Sequence, residues 1–286
     1  MKRQLILSDE FGDSIDLYND SGIRIVSTDG IGFNANITTT ELYLHDGSMF
    51  QSSRLNQRGI SLVVRYIGAK WKHEGNKLRL DRILNSKSEL RLRYVTDNMD
   101  LYIDCRTEQV NTPPNTFPMV TQISFLCPDP YWRKYGDNSI VFAGVIPLWE
   151  FICEIPESGM EFGEIVAGQI KTIYNDGSVD CGAEFEFIIK IDCSTPKIEN
   201  IITGEYIQVD CELIPGDILK ICTEHGKKSV TLTRSGIKYN YINRTKYSRV
   251  FLQIHREKNI LKYSFLHGDE YSADITCRVN VKYGGI

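Results

Sequence analysis

Asp274-Ile-Thr-Cys-Arg-Val-Asn-Val-Lys-Tyr283 alternates without a break. Ile275, Cys277, Val279, Val281 and Tyr283 fall on one side; Thr276, Arg278, Asn280 and Lys282 fall on the other. A period of two is the signature of a strand with one dry and one wet face, and such strands build antiparallel sheets. Working outward, the same period recurs. Leu90, Leu92 and Tyr94 alternate with Glu89, Arg91 and Arg93, and Ala183, Phe185 and Phe187 alternate with Glu184 and Glu186.

The second half reads as short strands near 163–173, 183–192, 205–212, 217–223, 228–234, 249–254, 259–265 and 274–283. Turn signals such as Asn175-Asp-Gly177, Pro215-Gly216 and His267-Gly268 punctuate them, which predicts a β-sandwich. The first half reads as strands near 23–27, 41–45, 59–67, 89–96, 99–106 and 119–127. One helix is expected over Lys77–Asn85, capped by Asn76, with Leu80, Ile83 and Leu84 as its apolar stripe. The fold class is therefore mainly β: an N-terminal β domain with one helix over 1–140 and a C-terminal antiparallel β-sandwich over 141–286.

The 286 residues are 42% apolar and 24% charged, ample for two folded cores. The net charge of −4 names no partner, but its distribution is uneven. Residues 54–93 hold 11 basic residues against Glu74, Asp81 and Glu89, while none falls between Lys134 and Lys171. That asymmetry suits surfaces that meet by complementary charge. The start, with only Leu5-Ile-Leu7 as an apolar run, lacks the roughly 7–15 apolar residues of a signal peptide. No window reaches the ~20 of a membrane span, so no membrane partner is expected. The eight cysteines contain no C-x-x-C pair and read as reduced, buried, small hydrophobes.

Enzyme chemistry finds little footing, and no catalytic residue, cofactor or metal ligand is assigned. Gly30-Ile-Gly-Phe-Asn-Ala35 fits G-x-G-x-x-A, but β-branched Ile37-Thr-Thr-Thr40 follows where a dinucleotide site needs a helix. Cys222-Thr-Glu-His225 has no second pair nearby to complete a metal site. Glu150, Glu154, Glu157, Glu161 and Glu164 cluster among prolines and glycines and read as a solvated connection.

Cys127-Pro-Asp-Pro-Tyr-Trp132 is the most distinctive block. Two prolines end a strand because neither can donate to a ladder, and two large rings follow at once. The block resembles the phage distal tail protein family, in which a C-P-D-P-aromatic segment closes the N-terminal domain. Gly32-Phe33, Asp46-Gly-Ser-Met-Phe50, Arg58-Gly-Ile-Ser-Leu62, Asn175-Asp-Gly177 and Val281-Lys-Tyr-Gly-Gly285 follow the family's order. One departure is Leu252–Asn259, which keeps Asn259 but lacks the family's Pro-Gly turn.

The resemblance implies a structural virion component of the distal tail or baseplate, assembled in the bacterial cytoplasm. It would form a homohexameric ring of tube-like N-terminal domains, with a galectin-like second domain. Its partners would be copies of itself, the tail tube protein, the tail-tip hub and receptor-binding or baseplate proteins, with nucleic acid only passing through the lumen. Arg54, Arg58, Arg65 and Lys70 are the candidate interface residues, and their charge reversal is expected to weaken the ring. A different class of reading is a carbohydrate-binding adhesin, using Tyr239, Tyr241 and Tyr247 of the second domain.

Overall fold

A computed structural model describes residues 3–43, 46–113, 118–136, 139–147, 163–166, 169–269 and 271–286. The chain divides into two compact units, Met1–Tyr135 with Tyr283–Ile286, and Gly136–Lys282. The division falls a few residues before the expected boundary at 140/141. The last four residues, expected in the second domain, belong to the first unit.

The first unit runs β1 (Gln4–Asp9), β2 (Ser14–Asp16), β3 (Ile23–Asp29), β4 (Ala35–Glu41), β5 (Ser48–Leu55), β6 (Arg58–Tyr66), α1 (Lys70–Ile83), β7 (Leu90–Val95), β8 (Asp100–Asn111), β9 (Val120–Cys127) and β10 (Trp132–Lys134). The main sheet has the order β2-β1-β7-β8-β9-β6-β3, and every pairing in it is antiparallel. The long β8 is its pivot. Residues 100–105 pair with β7, residues from Arg106 onward pair with β9, and a bulge lies between Thr107 and Gln109. A bulge bends the strand that carries it and raises the local twist.

Alternation sets what is buried. Ile60, Leu62, Val64 and Tyr66 of β6 meet Ile123, Phe125 and Cys127 of β9 in one core, joined by Leu5, Leu7, Leu92, Ile103 and Trp132. The Tyr66 hydroxyl is buried but bonded to Thr121 at 2.9 Å, so no polar cost is left standing there. Leu80, Ile83 and Leu84 pack into this core, as the apolar stripe predicted. The helix itself starts seven residues earlier than expected, at Lys70. Asn76 is not its cap; it lies mid-helix and donates to the Gly22 carbonyl at 3.2 Å. A residue suited to capping is here engaged by a distant loop instead.

The second unit runs β11 (Ser139–Pro147), β12 (Gly163–Val166), β13 (Ile170–Asn175), β14 (Ala183–Ile189), β15 (Cys193–Ser194), β16 (Lys197–Asn200), β17 (Tyr206–Val209), β18 (Glu212–Leu213), β19 (Ile218–Cys222), β20 (Ser229–Arg234), β21 (Ile237–Asn240), β22 (Thr245–Tyr247), β23 (Glu257–Ser264) and β24 (Ala273–Val279). Two sheets dominate it, β12-β11-β24-β14-β19-β20-β21 and β13-β23-β16-β17-β22. Phe142 of the first meets Tyr263 of the second edge-on at 6.5 Å. Phe187 and Tyr263 both meet Phe265. Edge-to-face rings of this kind fill a core between sheets.

Residues 249–254, expected as a strand, form none. They run as an irregular strap held by one isolated bridge, Cys181↔Ile254. Seven cysteines are free thiols, all buried except half-buried Cys222; Cys153 lies outside the described residues. Glu150, Glu154, Glu157 and Glu161 lie outside them too.

Candidate assembly interface

β4 and β5 form a two-stranded ribbon with Ala35 opposite Leu55 and Glu41 opposite Ser48. Among the described residues neither strand has a second ladder partner. Nearly every residue of both strands is exposed. The exposed set includes Ile37 at 59%, Phe50 at 62% and Met49, and Tyr43 beyond β4 is 89% exposed. β-branched Thr38-Thr-Thr40 explains why the segment is extended. It does not explain why the ribbon stands alone. A lone two-stranded ribbon is marginal in water, and bare edges with apolar side chains invite pairing with another chain.

The root of the ribbon is rigid for identifiable reasons. Gly30 sits at φ +79°, and a Cβ there would lie 2.0 Å from the Gly59 carbonyl oxygen. Only glycine allows that approach. Arg58, at the start of β6, is 6% exposed and turned inward. Its guanidinium donates to the Ile31 and Gly284 carbonyls and to Gly32 O at 2.9 Å. The indole N–H of Trp132 also donates to Ile31 O, at 3.3 Å. One cation and one ring thus tie the turn before the ribbon to the end of the chain. Burial of the guanidinium pulls the Arg58 pKa below its ordinary value, opposed by the neighbouring Cys127. Beside this knot a cleft of about 430 Å³ is lined by Phe33, Asn34, Asn56, Gln57, Arg58 and Pro130.

The Cys127–Trp132 block feeds the same knot. β9 ends at Cys127, which is buried beside Cys105. Pro128 is exposed, and Pro130 lines the cleft. Asp129 accepts the Tyr131 N–H at 3.2 Å and pairs with Arg133 at 2.6 Å, which sets the turn. Tyr131 is half-buried and Trp132 fully buried.

The four candidate interface residues separate. Arg54 lies exposed on β5 and Arg65 exposed on β6, while Lys70 opens α1. Arg58 is instead turned inward, its guanidinium bonded to three carbonyls of its own unit. Part of the basic tract around them is paired within the unit. Arg79 pairs with Asp20, Arg82 with Asp13, Arg91 with Asp104 and Arg93 with Asp100. These acids all lie outside 54–93, Asp100 and Asp104 on the next strand and Asp13 and Asp20 far back in the chain, so a count within the tract overstated the patch. Sequence reasoning missed the apolar side chains of the ribbon; the β-branched run before Glu41, followed by Ser48–Leu55, was the signal available.

In the second unit Tyr239 lies on edge strand β21 and Arg244 covers the Tyr241 ring at 4.7 Å. Tyr247 stacks on Phe251 at 4.6 Å.

Together these features define a class: a mainly β chain of two antiparallel units, the first bearing a solitary exposed ribbon on a rigid root. No family model and no curated protein matches the sequence. Solved structures do match the fold. The Dit protein of phage SPP1, described as a paradigm of the hub adsorption apparatus in phages infecting Gram-positive bacteria, is similar over 97% of this chain and 98% of its own, with TM-score 0.65 and 9% identity. Chains of the phage p2 baseplate in its activated conformation, with strontium and with calcium, are similar over the full length of both chains. Their TM-score is 0.58 in each case, with 12% and 13% identity. The chain shares the fold of SPP1 Dit and of these p2 baseplate chains.

Proposed function

We propose that this chain is a non-enzymatic structural subunit of a phage-type distal tail or baseplate hub, working as a ring of six copies. The observation that carries the reading is the β4–β5 ribbon, whose free edges and exposed Ile37, Met49 and Phe50 need a cover that the described residues of its own unit do not supply. Head-to-tail contact between copies closes into a ring and covers such edges. The full-length likeness to the hub-apparatus Dit protein of phage SPP1 and to chains of the phage p2 baseplate favours the same role. The tail tube, the tail-tip hub and receptor-binding or baseplate proteins are the partners, and the tail of the virion the location. Residues 141–286 serve as the galectin-like sandwich, and exposed Arg54 and Arg65 with Lys70 remain interface residues in this reading.

Light scattering and negative-stain microscopy of the full chain test it. Rings with a central hole are expected, and replacing Ile37 and Phe50 together by glutamate should leave monomers. A wild-type chain that stays monomeric even beside tube and hub proteins would overturn the proposal. A glycan-binding role for Tyr239 and Tyr247 would instead show as saturable binding to cell-wall glycan by that same monomer.

A further inference from the structure

The strap 249–256 is fastened to the second unit mainly by side chains rather than by a ladder. Phe251, Leu252 and Ile254 are its buried apolar anchors. Asn175 donates to Ile254 O at 3.0 Å, and Gln253 Nε2 donates to Thr223 O at 3.2 Å. The strap ends on Glu257, whose φ of +70° is one that side-chain-bearing residues avoid.

Two carboxylates from different segments grip it, each twice. Asp180, ahead of β14, accepts the Arg256 N–H at 2.9 Å and faces His255 Nδ1 at 2.9 Å. Glu205, ahead of β17, accepts the Gln253 N–H at 3.1 Å and faces His255 Nε2 at 3.1 Å. The His255 ring therefore has an acceptor-only group against each nitrogen. A neutral imidazole carries one N–H and one lone pair, so it can satisfy one of the two and must turn its lone pair on the other. The imidazolium donates from Nδ1 to Asp180 and sets its charge against Glu205 at ion-pair distance, where Nε2 makes no hydrogen bond of good geometry.

We propose that His255, Asp180 and Glu205 form a proton-operated latch, which fastens the strap when the imidazole is charged and loosens it when the proton leaves. The charged groups set against the ring are Glu205 and Asp180. Burial of the ring opposes its charge; Glu205 and then Asp180 outweigh that, and the His255 pKa stands above its ordinary 6.5. For a group raised on folding, the stabilisation is full below the unfolded value and is lost as pH rises through the folded one. The latch is thus closed in mild acid and opens toward alkaline pH. It does not depend on the assembly reading above.

Amide hydrogen exchange on the full chain, corrected for intrinsic rate, reads the strap directly. Because the His255 pKa is raised, the latch equilibrium shifts as pH rises through it, and the half-exposed ring lowers what is realised. Protection at Gln253 and Arg256 should fall by about threefold or more between about pH 6 and about pH 9, while β14 and β24 hold theirs. His255→Gln should remove that pH dependence. Asp180→Asn and Glu205→Gln, which keep the ring, should each lower the His255 pKa followed by its NMR titration. A strap indifferent to pH, a pH response that survives in His255→Gln, or a wild-type His255 titrating at or below 6.5 would overturn the latch.

Discussion

Replacing Arg58 should unfasten the root of the ribbon and destabilise the first unit. In Arg58→Met the Gly32 and Gly284 carbonyls lose their donor, while Ile31 O keeps the Trp132 indole. A hydrogen bond to a charged group is worth about 1.5–3 kcal/mol net, and water reaches exposed Gly32 and in part Gly284, so the loss of both bonds is about 3–4 kcal/mol. Against this stands the release of a buried guanidinium whose Nε has no partner, which returns about 1–3 kcal/mol. The net expectation is a loss of about 1–2 kcal/mol. Arg58→Lys keeps the charge and three donors but not the planar fork that reaches three separate carbonyls, and should fall between. Arg58→Glu sets a carboxylate against carbonyl oxygens and should prevent the first unit from folding. Charge reversal there would therefore abolish assembly for a reason unrelated to any interface. Arg54→Glu, on an exposed position, should shift stability by less than about 0.5 kcal/mol and is the cleaner probe of assembly. Urea unfolding followed by tryptophan emission measures this, with buried Trp132 reporting on the first unit. If Arg58→Met unfolds within about 0.5 kcal/mol of the wild type, the guanidinium is not the tie and the reasoning fails.

Gly30→Ala should cost more than about 2 kcal/mol in the same assay, since it combines a positive φ with a Cβ driven into Gly59 O; a neutral effect would mean that the turn relaxes freely. Thiol titration of the folded chain at mildly alkaline pH should leave Cys181, Cys193 and Cys211 unreacted, because burial pushes their pKa values up to about 12, about 11 and about 12. Half-buried Cys222 should be the first of the described thiols to react. Burial pushes the Asp217 carboxyl up, but Arg234 and the Ile214 N–H hold it below its ordinary 3.8. Its stabilisation is present above that value and is lost as pH falls through the lower folded one, so Asp217→Asn should flatten the acid limb of the melting curve. An unchanged acid limb would remove Arg234–Asp217 from the account.

Much of this protein is local and was therefore readable from neighbouring residues. The period of two at 90–94, 183–187 and 274–279 fixed strands and their dry faces, because alternation and pleat are the same geometry. Pro128 and Pro130 marked the end of β9, because neither can donate to a ladder. The same period misled at 249–254, where buried Leu252 and Ile254 alternate as in a strand but Asn175, Gln253 and Asn259 replace the ladder. What the tertiary structure alone decided lies at long range. Arg58 is an ordinary surface arginine by its neighbours; it is buried because the fold brings residues 31, 32 and 284 to it. Asn76 loses its capping role to Gly22, and the basic tract meets Asp13, Asp20, Asp100 and Asp104 only once the strands have paired. Hydrogen bonds and charges act over a few ångströms of space, whatever their separation along the chain, and sequence spacing carries no record of that distance.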